Sequence, residues 1–268
     1  MTSALLDVRA ESEFLAAHAP MAAGIPLEEL RDRTHELPPR GERLCVTDAD
    51  PRRAEEAAGF LRQRGHEVTL IGWDRATATA SGPSQVHLWR PNSFLVEAFQ
   101  RIQQGREGSA CDHRRAFDLA CGCGRDAVWL AMRGYEVDAI DILPDALQRA
   151  QDLARRCGVQ VRTLHQDLER QPHLGRWGYD LMTVFRYLHR DLFPSIRSAV
   201  APGGYIVYET FHEQNRQTGM RPLSPEHLLQ TSELAEAFDG FELLIVRDGV
   251  ERGGRYFSSL LARRPEPG

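Results

Sequence analysis

The sequence predicts an α/β fold: a doubly wound, mostly parallel seven-stranded sheet that closes with an antiparallel hairpin, preceded by a smaller α/β domain. Three observations predict it. Short apolar runs alternate with helix-period segments along most of the chain. A glycine-rich loop, Cys121-Gly-Cys-Gly124, separates one such run from a helix. The last two runs are joined by Asp-Gly-Val-Glu-Arg-Gly-Gly, residues 248–254, which is a hairpin signal and not a helical crossover.

Each element follows from local pattern. In residues 1–78, the runs 4–8, 43–47 and 68–71 read as strands and 11–18 as a helical turn or two. Residues 51–64 read as a helix, with Pro51 at its start and Gly65 at its stop. Residues 75–84 are small, polar and Pro/Gly-bearing, and 79–90 are taken as the linker. In 91–102, Phe94, Leu95, Ala98, Phe99 and Ile102 share one helical face. That helix either packs on the second domain or forms a lid that brings Trp89 or Phe94 near a substrate. The second domain, 91–268, has strands at 116–120, 136–141, 160–165, 179–184, 205–210, 241–247 and 256–263. Its helices fall at 125–133, 144–157, 194–200 and 225–238.

Composition bounds the function. The chain has 268 residues, 42% hydrophobic and 26% charged, with a net charge of −5. The acidic balance argues against a nucleic-acid partner. No apolar run approaches the roughly 20 residues that span a bilayer, and residues 1–9 lack a signal-peptide pattern. The five cysteines form no framework spacing. A reducing, cytoplasmic location is expected. Cys121-x-Cys123 reads as two small residues in a tight loop, since no second Cys/His pair lies nearby to complete a metal site.

The glycine loop carries the chemistry. Only glycine lets a backbone approach a ligand without a Cβ, and the helix starting at Arg125 turns its free amides back toward the loop. Asp141 ends the next strand, where an acidic side chain can accept from both ribose hydroxyls. Gly122-x-Gly124-x-x-Ala127 with Asp141 also fits a nicotinamide-dinucleotide fingerprint. Three features favour a methyl donor instead. Asp118 is placed to meet a cationic amino-acid end, Asp167 to meet the exocyclic amine of adenine, and the terminal hairpin is unusual for a nicotinamide domain.

Residues 88–268 resemble the class I S-adenosylmethionine-dependent methyltransferases, in the look of the tellurite-resistance branch. The carriers are Asp118-Leu-Ala-Cys-Gly-Cys-Gly-Arg-Asp126, Gly134-Tyr-Glu-Val-Asp-Ala-Ile-Asp141, Gln166-Asp-Leu168 and Pro202-Gly-Gly-Tyr-Ile-Val207. The resemblance implies S-adenosylmethionine as cofactor and S-adenosylhomocysteine as product. It places Ala120, Gly122 and Gly124 against the methionine part, Asp141 on the ribose, and Asp167 with Leu168 on the adenine. Arg125, Ile142 and Phe185 complete the expected cofactor set. Ala120 departs from the family's usual glycine. Arg186-Tyr-Leu-His-Arg190 departs further, so no substrate carries over.

On the acceptor side, Arg186, Tyr187 and His189 follow the fourth strand, and Glu209 with His212 the fifth. His189 is the candidate general base, Tyr187 orients the nucleophile, and Arg186 with Arg190 either holds an anionic acceptor or pairs with Glu209. The expected reaction is methyl transfer to a small molecule, a thiol or another soft chalcogen nucleophile. The alternatives are methylation of RNA or protein and a non-catalytic cofactor-binding scaffold.

The first domain resembles the rhodanese family through Leu6-Asp-Val-Arg-Ala-Glu-Ser-Glu-Phe14, His18-Ala-Pro20, Gly24-Ile-Pro-Leu-Glu-Glu-Leu30 and Phe60-Leu-Arg-Gln-Arg-Gly65. Its loop, Asp48-Ala-Asp-Pro-Arg-Arg53, carries Asp48 where that family has its catalytic cysteine. A carboxylate cannot carry transferable sulfur, so this half is expected to be inactive as a sulfurtransferase.

Overall fold

The structure is a computed structural model in which residues 4–74, 77–104, 114–174, 178–222 and 224–267 are described. The chain divides into two compact units, Met1–Arg90 and Pro91–Gly268.

The first unit runs β1 (Ala4–Asp7), α1 (Glu11–Ala16), β2 (Ala22–Gly24), β3 (Arg43–Thr47), α2 (Pro51–Gln63) and β4 (Glu67–Leu70). Its four strands are all parallel, in the order β2-β1-β3-β4. Leu6, Val8, Leu44, Val46 and Leu61 form the core. Asp50 caps α2 by accepting from the Arg52 amide at 2.8 Å, with Pro51 in the first turn. The three-residue β2 is too short to show alternation in the sequence. Residues 80–89 are not a free linker: the Ala80 and His18 main chains bond to each other, Ser84 Oγ donates to Ala22 O at 2.7 Å, and Val86 and Leu88 join the core. The small, polar composition of 75–84 conceals these long-range bonds.

The second unit opens with α3 (Ser93–Gln104), followed by β5 (Arg114–Leu119), α4 (Arg125–Ala131), β6 (Tyr135–Asp141), α5 (Pro144–Arg156) and β7 (Val161–His165). After these come β8 (Tyr179–Phe185), α6 (Phe193–Ala199), β9 (Val200–Phe211), α7 (Glu233–Ala237), β10 (Glu242–Arg252) and β11 (Arg255–Arg263). The seven strands are ordered β10-β11-β9-β8-β5-β6-β7. Strands β5 to β9 pair in parallel, and β11 is antiparallel to both β9 and β10. The chain therefore starts mid-sheet at β5, winds outward to β7, and crosses back to β8 beside β5. Ligands bind where such a sheet reverses its winding, at the carboxyl ends of the strands. Here that point brings together the loop after β5 and the segment after β8.

Helix α3 buries Phe94, Leu95, Ala98 and Ile102 within its own unit, and Phe99 meets Trp129 edge-on at 5.1 Å. Of its two readings, packing on the second domain is the one its buried face supports. The helix expected over 225–238 is broken. A single 3-10 turn at Pro225–His227 is followed by extended chain, and only Glu233–Ala237 is α-helical. The reason is tertiary. Leu228 and Leu229 are both buried, and Leu229 exchanges main-chain bonds with Phe211 and Glu213 at 2.8 Å each. A sheet-edge bridge thus wins over helix propensity.

Candidate cofactor and acceptor site

The loop after β5 turns sharply through three left-handed residues: Ala120 at φ 56°, Gly122 at 53° and Gly124 at 76°. A non-glycine residue there costs about 1–2 kcal/mol, which accounts physically for the family's glycine at the position held by Ala120. The two glycines serve different ends. A Cβ on Gly124 would lie 2.5 Å from Ala150 Cβ, so this glycine lets α4 start against α5. A Cβ on Gly122 would meet nothing within 4 Å, leaving room for a ligand to approach its backbone.

Acidic groups surround this loop. Asp118 is buried, and its Oδ1 accepts from Thr183 Oγ1 at 2.8 Å, while Oδ2 makes no hydrogen bond of normal geometry. Burial, then the charge of Asp126, raises its pKa well above the usual carboxylate range, against the Thr183 hydroxyl and the Ala127 amide. Asp126 is raised chiefly by burial as well, and its Oδ1 accepts from the Asn92 amide at 2.6 Å. The Cys121 thiol is pushed far up, first by burial and then by Asp118 and Asp141, so it is no thiolate nucleophile.

Asp141 ties β6 to the loop: Oδ2 accepts from Gly122 N at 2.8 Å and Oδ1 from Leu143 N at 2.9 Å. Each oxygen keeps a further lone pair for a ligand. Beside it, Ile142 and Leu143 are 51% and 59% exposed, an uncovered apolar step at the end of β6. Asp167 caps its own turn, with Oδ1 accepting from Glu169 N at 3.0 Å and Arg170 N at 3.3 Å. The Leu168 side chain is buried in the core, so it anchors this turn.

At the end of β8, Phe185 is half-buried and pairs with Glu209 in register. Arg186 is left-handed at φ 57°, with its amide donating to Glu209 O at 2.8 Å. The Tyr187 hydroxyl is buried without a partner, and burial pushes its pKa up to about 12. Glu169, Asp167 and Asp141 are the acids whose charge reaches it. The His189 ring makes no hydrogen bond among the described residues; its carbonyl caps the next turn. Arg190 is a structural clamp on Glu233 (2.6 Å) and on the carbonyls of Glu226 and Leu228. His212 is buried between Thr231 Oγ1 and the Gln214 amide. Neither Arg190 nor His212 is free for an acceptor, and neither Arg186 nor Arg190 pairs with Glu209. That carboxylate is held by Arg252, Ser259 Oγ and Asn92 Nδ2.

A buried carboxylate oxygen without a partner, open space over Gly122 and an exposed apolar step beside Asp141 suit one kind of ligand. It has a cationic end, a vicinal diol and a flat apolar ring. Residues 116–204 match the methyltransferase domain family. A ubiquinone biosynthesis O-methyltransferase of Alkalilimnicola ehrlichii is 31% identical over 183 residues, covering 66% of this chain and 72% of that protein. The chain belongs to the class I S-adenosylmethionine-dependent methyltransferases. An uncharacterized protein of Schizosaccharomyces pombe is 23% identical across 97% of this chain and 93% of its own, so its match runs through both units of this methyltransferase. Among solved structures, TehB from Haemophilus influenzae shares the fold, with TM-score 0.50 and 18% identity over 62% of each chain.

Sequence reasoning missed Asp126, Thr183 and the holders of Glu209. Asp126 reads as an ordinary first-turn acid, and its half-burial has no local signature. Asn92 reaches Glu209 across 117 residues, a separation that no motif spans.

Proposed function

We propose that this methyltransferase moves a methyl group from S-adenosylmethionine to a small-molecule acceptor, releasing S-adenosylhomocysteine. The observation that carries the reading is the pairing of the partnerless Asp118 oxygen with Asp141 across an open glycine loop. When bound, S-adenosylmethionine supplies an electrophilic methyl on a sulfonium. Asp118 would face its ammonium group, Ala120, Gly122 and Gly124 its methionine chain, with Arg125 at the helix start beyond. Asp141 would take the ribose hydroxyls, Ile142 and Phe185 the flanks of the pocket, and Asp167, whose Oδ2 also faces Arg170 Nε at 3.4 Å, the adenine amine. Displacement at a methyl needs alignment more than acid–base work.

His189, with its ring free of hydrogen bonds, would take the proton of a thiol or hydroxyl nucleophile. Tyr187 stays protonated below about pH 12, so it can donate a hydrogen bond but cannot serve as a base at neutral pH. With an accepted substrate, His189→Ala is expected to lower kcat by about 100-fold and Tyr187→Phe by less, both with little change in cofactor affinity. Wild-type kcat in both variants would remove them from the reaction.

For the first unit we propose a docking or stabilising role without sulfur transfer. Asp48 stands at the loop before α2, buried, accepting from Asp50 N at 2.9 Å and Arg53 Nε at 3.1 Å, and so holds the loop closed. The fragment 91–268 is expected to bind S-adenosylhomocysteine as tightly as the whole chain, checked by calorimetry. A folded fragment that binds nothing would show that the first unit helps to form the pocket.

A further inference from the structure

The acceptor side of the site carries an imbalance of charge. Three arginines, Arg125 at the start of α4, Arg186 after β8 and Arg255 at the start of β11, make no side-chain hydrogen bond or ion pair among the described residues. All three lie at the carboxyl end of the central strands, since β11 runs antiparallel to β9 and starts beside Phe211. The charged groups that reach Arg186 are Arg125, Asp126, Glu209 and Arg255. The two acids among them are already engaged: Asp126 by the Asn92 amide, Glu209 by Arg252, Ser259 and Asn92. Aromatic rings back the head groups at the hairpin, with Arg255 5.5 Å from the Phe211 centroid and Arg252 5.0 Å from that of Phe257. Arg186 is held in a left-handed conformation that disfavours side chains, pinned by its amide to Glu209 O. Strain of this kind persists where the surroundings over-determine it, and it clusters at ligand sites.

We propose that Arg125, Arg186 and Arg255 bind an anionic group of the methyl acceptor, a carboxylate or a phosphate. This rests on the methyl-transfer reading of the same site. A guanidinium gives such a group paired, planar donors, and three of them with no ion pair among the described residues make a seat for an anion in a chain whose overall charge is negative. The acceptor is then a small acid or phosphate ester, anchored by its charge while its nucleophile faces the methyl.

The test is calorimetric titration of the full chain at low salt, with inorganic phosphate in one arm and malonate in the other, with and without S-adenosylhomocysteine. One anion is expected to bind saturably, one per chain, and the better arm tells phosphate ester from carboxylate. Arg186→Gln and Arg255→Gln should each weaken it tenfold or more, with S-adenosylhomocysteine affinity held within twofold. Arg186→Gly should weaken the anion equally while leaving the melting midpoint equal or higher, because it relieves the left-handed strain; a structural arginine would lower it. Binding of neither anion, or anion affinity unchanged in Arg186→Gln, overturns the proposal. Failure of S-adenosylhomocysteine to bind would instead overturn the methyl-transfer reading.

Discussion

Asp141→Ala is expected to cut S-adenosylmethionine affinity at least tenfold and to lower the melting midpoint. The carboxylate accepts from two main-chain amides, Gly122 N and Leu143 N, and so ties the glycine loop to the segment after β6. Hydrogen bonds to a charged group are worth about 1.5–3 kcal/mol each. Losing both structural bonds should therefore cost about 3–6 kcal/mol of stability, and losing the ribose acceptors adds to the affinity loss. Asp141→Asn keeps one acceptor but turns a donor toward the other amide, so it should fall between. Calorimetry and thermal melts read the two effects separately. Unchanged affinity in Asp141→Ala would mean that the ligand sits elsewhere.

The second large effect separates two glycines in one loop. Gly124→Ala should destabilise the protein by about 2–5 kcal/mol, through overpacking and the left-handed backbone together. Its new Cβ would lie 2.5 Å from Ala150 Cβ and 3.1 Å from Ala150 Cα. Adding Ala150→Gly should recover the larger share of the steric part, since the 3.1 Å approach to the Cα remains, and none of the conformational part. Gly122→Ala has open space around it and should cost only about 1–2 kcal/mol from its positive φ. Yet its methyl group enters the space over the loop, so cofactor affinity should fall tenfold or more. If the two variants lost stability and affinity in the same proportion, the division of labour between packing and ligand approach would be wrong.

These features differ in how far the chain displays them. Asp118, the glycines and Asp141 were legible because strand, loop, helix and next strand lie within about two dozen consecutive residues, and the φ values of Gly122 and Gly124 follow from a turn that tight. Ile142 was legible only as a neighbour of Asp141; its exposure emerged with the fold. The acceptor side was less legible because its partners are far apart in sequence. Arg190 looked free but clamps Glu233, 43 residues on, and Glu209 looked available but is taken by Arg252, also 43 residues on. The same reason hid the break in 225–238, where bonds to Phe211 and Glu213 decide the local structure. Residues 80–89 read as linker because polar, small side chains say nothing of the main-chain bonds that hold them.

The loop between β5 and α4 is expected to bind S-adenosylmethionine and not a nicotinamide dinucleotide, which its Gly122-x-Gly124-x-x-Ala127 spacing would also admit. Calorimetric titration of the purified full chain with S-adenosylhomocysteine and, in parallel, with NAD tests it most directly. Saturable binding of one S-adenosylhomocysteine per chain, weakened at least tenfold in Asp141→Ala, with no heat from NAD, is expected. Saturable NAD binding with none of S-adenosylhomocysteine would contradict it.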